Sequence, residues 1–236
     1  MFVKTRYRTD DPEIMDDFNL KGDVLKAALD KIAQINQLLG GNSLTLKGVV
    51  RLLEKTSDSD LITIMDVGCG NGDMLRKLAD FGFENNLNLK LIGIDANEFT
   101  VNYAADLSRN YSNISYKKLD VLDEFFKEIK CDILLCTLTL HHFKNSEIVK
   151  LLISFYANSK LGFVINDLHR SSMAYRLFQL VCFVFNLSEM PRKDGLTSIL
   201  RGFKKDELIA FSENLKFKKY SIQWKWAFRY QWIVEK

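Results

Sequence analysis

The run Leu61-Ile-Thr-Ile-Met-Asp66-Val-Gly68-Cys-Gly70-Asn-Gly72-Asp73-Met-Leu75 limits what this chain can fold into more than any other stretch. An apolar segment rich in β-branched residues feeds a turn with glycine at every second position, after which Met74, Leu75, Leu78 and Ala79 recur at helical spacing. That order predicts a buried strand, a tight loop and a helix N-terminus. Glycine tolerates positive φ and lets a ligand approach the backbone where a Cβ would block it, and the free N–H groups of the helix attract electron-rich atoms. The stretch is a candidate cofactor loop.

Its spacing excludes two cofactor classes. Counting from Gly68, the sixth position is Asp73, so the dinucleotide pattern G-x-G-x-x-G fails, and no Gly-Lys-Ser/Thr follows to bind a nucleotide phosphate. Asp66 and Asp73 place carboxylates on either side of the loop, which repel a pyrophosphate and attract an ammonium or sulfonium group.

Asp66-Val-Gly68-Cys-Gly70-Asn-Gly72 resembles the first motif of class I S-adenosylmethionine (SAM)-dependent methyltransferases. Three further stretches are similar to that family in the same order. Leu89-Lys-Leu-Ile-Gly-Ile-Asp95-Ala96-Asn97 ends in an acid where the family binds the ribose hydroxyls, and Tyr116-Lys-Lys-Leu-Asp120-Val121 places an acid for the adenine amino group. Cys131-Asp-Ile-Leu-Leu-Cys-Thr137-Leu-Thr-Leu-His141-His142-Phe143 is similar to the strand and loop that carry the reacting end. Together these motifs cover about residues 60–170 and are far more specific than a lone glycine loop. The resemblance implies SAM as cofactor, with no metal. Asp66, Gly68, Cys69, Gly70 and Gly72 would hold its methionine end, Asp95 and Ala96 the ribose, and Asp120 and Val121 the adenine. Thr137 would stand at the reacting end.

Strands and helices alternate from residue 61 onward, which predicts a parallel sheet with right-handed crossovers. The expected fold is α/β: a doubly wound, mostly parallel, seven-stranded Rossmann-like sheet with an antiparallel C-terminal hairpin bending near Ala227. An N-terminal helical lid over residues 1–56 precedes the SAM-binding domain, 57–236, which carries an insertion at 171–203. In the lid, Asp10 or Asp11 followed by Pro12 reads as a helix start, a longer helix runs to Gly40-Gly41, and a third covers roughly Ser43–Leu53. In the insertion, Ser172–Asn186 reads as an apolar helix too short to span a membrane. Met190–Phe203 reads as a polar, turn-rich loop whose Arg192, Asp194, Ser198 and Arg201 line the substrate entrance.

The 236 residues carry a net charge of +3, which gives no basic face for nucleic acid. Four cysteines lie without a C-x-x-C pair and the N-terminus has no apolar leader, so a cytoplasmic setting with reduced thiols is expected, as a monomer or homodimer. The only histidines are His141, His142 and His169, and all three follow strand ends that a doubly wound sheet brings to one rim. A histidine can take the proton of a hydroxyl that attacks a methyl sulfonium. His142 and His169 rank first as that base, then His141.

The whole-chain pattern resembles bacterial small-molecule methyltransferases, including those that modify phenolic hydroxyls of polyketides or quinone precursors, and the combination Glu13-Ile-Met15-Asp16-Asp17-Phe18, Asn166-Asp167-Leu-His169-Arg170, Arg201-Gly202-Phe203 and Trp226-Ala-Phe228-Arg229 is similar to a group found beside polyketide synthases. That likeness implies a small aromatic acceptor, met by Met15, Phe18, His142, Asp167 and Arg201, and O-methylation as the reaction. Carbon methylation of a quinone-like ring, action on RNA or protein, and a SAM-binding scaffold without activity are the alternatives.

Overall fold

A computed structural model describes residues 3–54, 56 and 60–236. Seven strands form one sheet in the order β3-β2-β1-β4-β5-β7-β6. They are β1 (Leu61–Val67), β2 (Asn88–Asp95), β3 (Ile114–Lys118), β4 (Cys131–Thr137), β5 (Ser159–Leu168), β6 (Lys219–Lys225) and β7 (Arg229–Glu235). β1 to β5 pair in parallel, while β7 runs antiparallel to both β5 and β6, as expected. The hairpin turns at Ala227 and Phe228, both in the left-handed region at φ 61° and 54°. Tyr230, Trp232 and Val234 of β7 enter the core cluster that holds Phe163 and Ile165 of β5.

Helices α3 (Asp73–Glu84), α4 (Glu98–Leu107), α5 (Asn145–Asn158) and α8 (Lys205–Asn214) cover the sheet. The chain before β1 divides in two. α1 (Asp23–Leu38) lies above the strand ends, with Leu29 touching the glycine loop, whereas α2 (Gly41–Leu53) buries Val49 and Leu52 against Ile64, Val164 and Ile233 of the sheet. α2 therefore packs against the sheet, and the segment before it lines the space above the strand ends together with residues such as Phe178 and Asp194. The expected boundary at 56–57 falls where residues 55 and 57–59 lie outside the described ones.

Two local expectations are corrected. The helix expected after Asp10 is a single 3₁₀ turn, Ile14–Asp16, whose first N–H groups, of Ile14 and Met15, donate to the Asp194 carboxylate at 2.8 and 3.0 Å. A partner on another element thus satisfies the first-turn donors, while the turn keeps its own Asp16 N to Glu13 O and Asp17 N to Ile14 O bonds. The expected loop at 190–203 is instead helix α7 (Glu189–Arg201), which follows α6 (Ser172–Val184). Pro191 sits in its first turn, where a missing N–H costs no helical bond. Gly195 in its middle admits the Phe178 ring, which a Cβ would meet at 2.4 Å. Among the described residues no helix is long and apolar enough to cross a membrane.

Candidate active site

A cavity of about 760 Å³ opens above the C-terminal ends of β1, β2 and β4, where ligands sit in open parallel sheets. Its floor is the loop after β1. Gly68, Gly70 and Gly72 all have positive φ, at 68°, 53° and 78°. A Cβ on Gly68 would lie 2.4 Å from the Thr139 side chain, and one on Gly72 would lie 2.0 Å from the Tyr116 hydroxyl. Glycine is thus required both for backbone shape and for closeness to neighbouring side chains.

Asp66, Gly68, Cys69, Gly70, Asp95, Ala96, Asp120, Val121 and Thr137, all named from sequence, line this cavity together. Asp95 closes the loop onto β2: Oδ2 accepts from Gly70 N at 3.3 Å and Oδ1 from Asn97 N at 3.0 Å. Burial raises its pKa, although those backbone donors oppose the shift. Asp66 is 2% exposed, and its Oδ1 has no hydrogen-bond partner among the described residues. Burial, with Asp73 and Asp95 nearby, raises the Asp66 carboxyl well above the usual range. An orphaned acid beside a glycine cradle fits a cationic ligand and would be punished by an anionic one. The same donor set therefore fits SAM and opposes a pyrophosphate.

The same cavity is lined by Met15, Phe18, His141 and His142. His142 Nδ1 lies 2.6 Å from Asp16 Oδ1, and Arg201 Nη1 donates to Asp16 Oδ2 at 2.6 Å. Burial would raise Asp16, but those two partners prevail and hold its carboxyl below the usual range. An ionised Asp16 fixes the proton on Nδ1 and leaves Nε2 of His142 as the proton-accepting nitrogen. The His141 and His142 rings lie tilted by 31° with centroids 4.3 Å apart, and His141 Nδ1 lies 2.7 Å from Asp167 Oδ1. His141 is 2% exposed and His142 about a quarter exposed on its side chain, so His142 is the more accessible of the two.

Asp167 and Arg201, named from sequence as substrate contacts, stand behind the histidines and do not line the cavity. Asp167 holds His141 from below, and Arg201 donates to the carbonyls of His141 and His142. His169 also stays off the cavity wall: its ring stacks on Phe228, Nδ1 accepts from Trp224 Nε1 at 3.2 Å, and burial lowers its pKa. A residue at the strand end thus faces the hairpin rather than the cofactor loop.

Sequence reasoning missed Glu13 and Asp16 as site residues, although both stand in a conspicuous acidic run. Glu13 is buried between α7 and the histidines, with Ser198 Oγ donating to Oε2 at 2.7 Å. Its Oε1 is unpartnered, 3.7 Å from His141 Nε2 and from Arg201 Nη1 and 3.9 Å from His142 Nδ1. Burial pushes the carboxyl up to about 7 against the pull of His142, Ser198 and Arg201, while Asp16 adds to the rise. Glu13, His141 and His142 bring three donor atoms within 4.8 Å of one another, but the Arg201 guanidinium already supplies a cation there and opposes a second.

Comparison with known proteins gives the family. A family model described as a methyltransferase domain matches residues 58–222. No curated protein matches the sequence. The fold is similar to the plantazolicin methyltransferase BpumL solved with S-adenosylhomocysteine (SAH), at 15% identity and TM-score 0.67, covering 89% of this chain and 90% of that one. An O-methyltransferase family protein from Burkholderia thailandensis is similar at 12% identity and TM-score 0.68, over 97% of this chain and 65% of that one. The CurJ carbon methyltransferase is similar at 14% identity and TM-score 0.61, over 81% and 53%. At these identities the structures show a shared fold, while the family model spans most of the chain. With its acid-lined glycine loop and seven-stranded sheet, this chain belongs to the methyltransferase domain family and is a SAM-dependent methyltransferase.

Proposed function

We propose that the enzyme methylates a hydroxyl oxygen of a small, planar, phenolic acceptor, with His142 as the base. The observation that carries this reading is the His142–Asp16 pair at 2.6 Å on the wall of the cofactor cavity. SAM, when bound, supplies a methyl group made electrophilic by positively charged sulfur. The chain's own residues then have two tasks. Met15, Phe18 and Phe143 in the cavity lining offer apolar and aromatic surface to a ring, which limits how the acceptor oxygen can approach. His142 Nε2 takes the hydroxyl proton as that oxygen forms its new bond, and Asp16 balances the charge that the imidazole acquires.

The segment before α2 serves as a lid in this reading, because it contributes Glu13, Asp16 and α1 to the cavity wall. Four cysteines that are buried and unpaired favour a reducing, cytoplasmic setting. Carbon methylation is the second reading. Its support is that similar folds include the carbon methyltransferases CurJ and DszA, and a ring carbon next to an ionisable hydroxyl needs the same base. A panel of phenols and quinols incubated with SAM, with the product's methyl position read by NMR, separates the two. The proposal fails if methyl groups appear only on carbon.

A further inference from the structure

Arg229 opens β7 beneath the cavity wall and is 4% exposed. Its guanidinium makes no hydrogen bond among the described residues, and Nε and Nη1 are buried without a partner. The opposing charge felt by this side chain is Asp167, which already holds His141 and the Leu168 amide. A buried cation with no hydrogen-bonded counter-ion is costly, and in a cavity wall a ligand anion can supply that partner.

The surroundings of Arg229 say which anion. Its Nη1 and the unpartnered Asn36 Oδ1 both stand within 2.7 Å of the point that a Cβ on Gly41 would occupy. Asn36 donates to Asn42 Oδ1, and Asn42 donates to Asp73 Oδ2 at 2.6 Å, directly after the glycine loop. Arg229 Nη1 thus stands near Asn36 beside Gly41, without a hydrogen bond between them, where the Asn36–Asn42–Asp73 chain that leads to the glycine loop begins. That same wall presents unpartnered acceptors, Asp66 Oδ1 and Asn36 Oδ1. One orphaned cation beside orphaned acceptors matches a zwitterion that carries a carboxylate and an ammonium on one carbon.

We infer that Arg229 anchors the α-carboxylate of the cofactor's methionine moiety, with Gly41 kept free of a side chain so that the guanidinium can reach it. This inference rests on SAM being the cofactor and is independent of which acceptor is methylated. A bidentate guanidinium–carboxylate pair in a buried site is among the stronger charge-assisted contacts.

The test is a double-mutant cycle read by titration calorimetry, which needs no acceptor and no turnover. SAH and its decarboxylated analogue are titrated into the wild-type protein and into Arg229→Met, a variant of similar length that buries no charge. The wild type should bind the analogue about 10- to 100-fold more weakly than SAH. In Arg229→Met that gap should shrink to within about threefold, because the remaining contacts are common to both ligands. A gap that persists undiminished in Arg229→Met overturns the inference, whether the guanidinium then serves a carboxylate on the acceptor or only the fold. If circular dichroism shows that Arg229→Met is unfolded, the cycle is repeated with Arg229→Lys, which keeps the charge and loses the fork. The gap should then narrow at least threefold, and an unchanged gap contradicts the inference equally. Absence of SAH binding by the wild type would instead strike at the cofactor assignment itself.

Discussion

Asp16 and His142 stand 126 residues apart in sequence and 2.6 Å apart in space. The pair exists because three elements converge on it. The Asp194 carboxylate on α7 holds the 3₁₀ turn that carries Asp16, and Arg201 on the same helix clamps Asp16 and the carbonyls of both histidines.

Replacing Asp16 with asparagine tests the pair. The amide preserves shape but removes the charge that fixes the proton on Nδ1 and balances the imidazolium. The account predicts a fall in kcat of about 10²- to 10⁴-fold, as for loss of a general base, with SAH affinity changed less than about threefold. A variant that loses SAH affinity in the same proportion would place Asp16 in cofactor binding instead.

Glu13 gives the protein a pH-dependent weakness. Its carboxyl ionises near 4.5 when unfolded and at about 7 in the fold, so the folded state holds the proton more tightly. The resulting stabilisation is fully present below about pH 4.5 and is lost as pH rises to about 7. Glu13→Gln keeps the neutral shape at every pH. Its melting temperature should match the wild type at pH 4.5 and exceed it above pH 7, by an amount equivalent to about 3 kcal/mol. Each kcal/mol corresponds to about 2–4 °C in a protein of this size. Equal melting temperatures at pH 8 would contradict the buried carboxyl.

Asp95 ties β2 to the glycine loop through Gly70 N, and is proposed to hold the cofactor's ribose. Asp95→Ala should weaken SAH binding by about 10- to 100-fold in calorimetry, the worth of a hydrogen bond to a charged group. Retention of wild-type affinity would remove Asp95 from the site.

Gly68→Ala should fail for a different reason. Its Cβ would enter a backbone region at φ 68° that costs an L-residue about 1–2 kcal/mol and would press on the Thr139 side chain. A melting temperature lower by at least 2–4 °C, together with weaker SAH binding, is expected. An unchanged melt would show that the loop can relax.

The cofactor end was legible because its signals are local. A β-branched run, alternate glycines and an acid at a strand end each occupy a few consecutive positions, and the sheet must bring such ends together. The reacting end was legible only in part. The histidines follow a readable strand, but nothing near His142 announces Asp16, whose partner is set by how α7 packs. That helix was itself hidden by Pro191 and Gly195, two residues that oppose helices on average and are accommodated here by position and by Phe178. His169 shows the converse: a strand end places a residue at the rim, but its side chain can still turn toward the hairpin.

The most direct test of the account uses SAM with a deuterated methyl group, a panel of phenols, and product analysis by mass spectrometry and NMR for wild type and His142→Gln. The predicted result is a deuterated methyl on a hydroxyl oxygen, formed at least about 100-fold more slowly by the variant although it still binds SAH. Transfer at an undiminished rate by His142→Gln would contradict the assignment of the base, and no transfer to any hydroxyl would contradict the reaction.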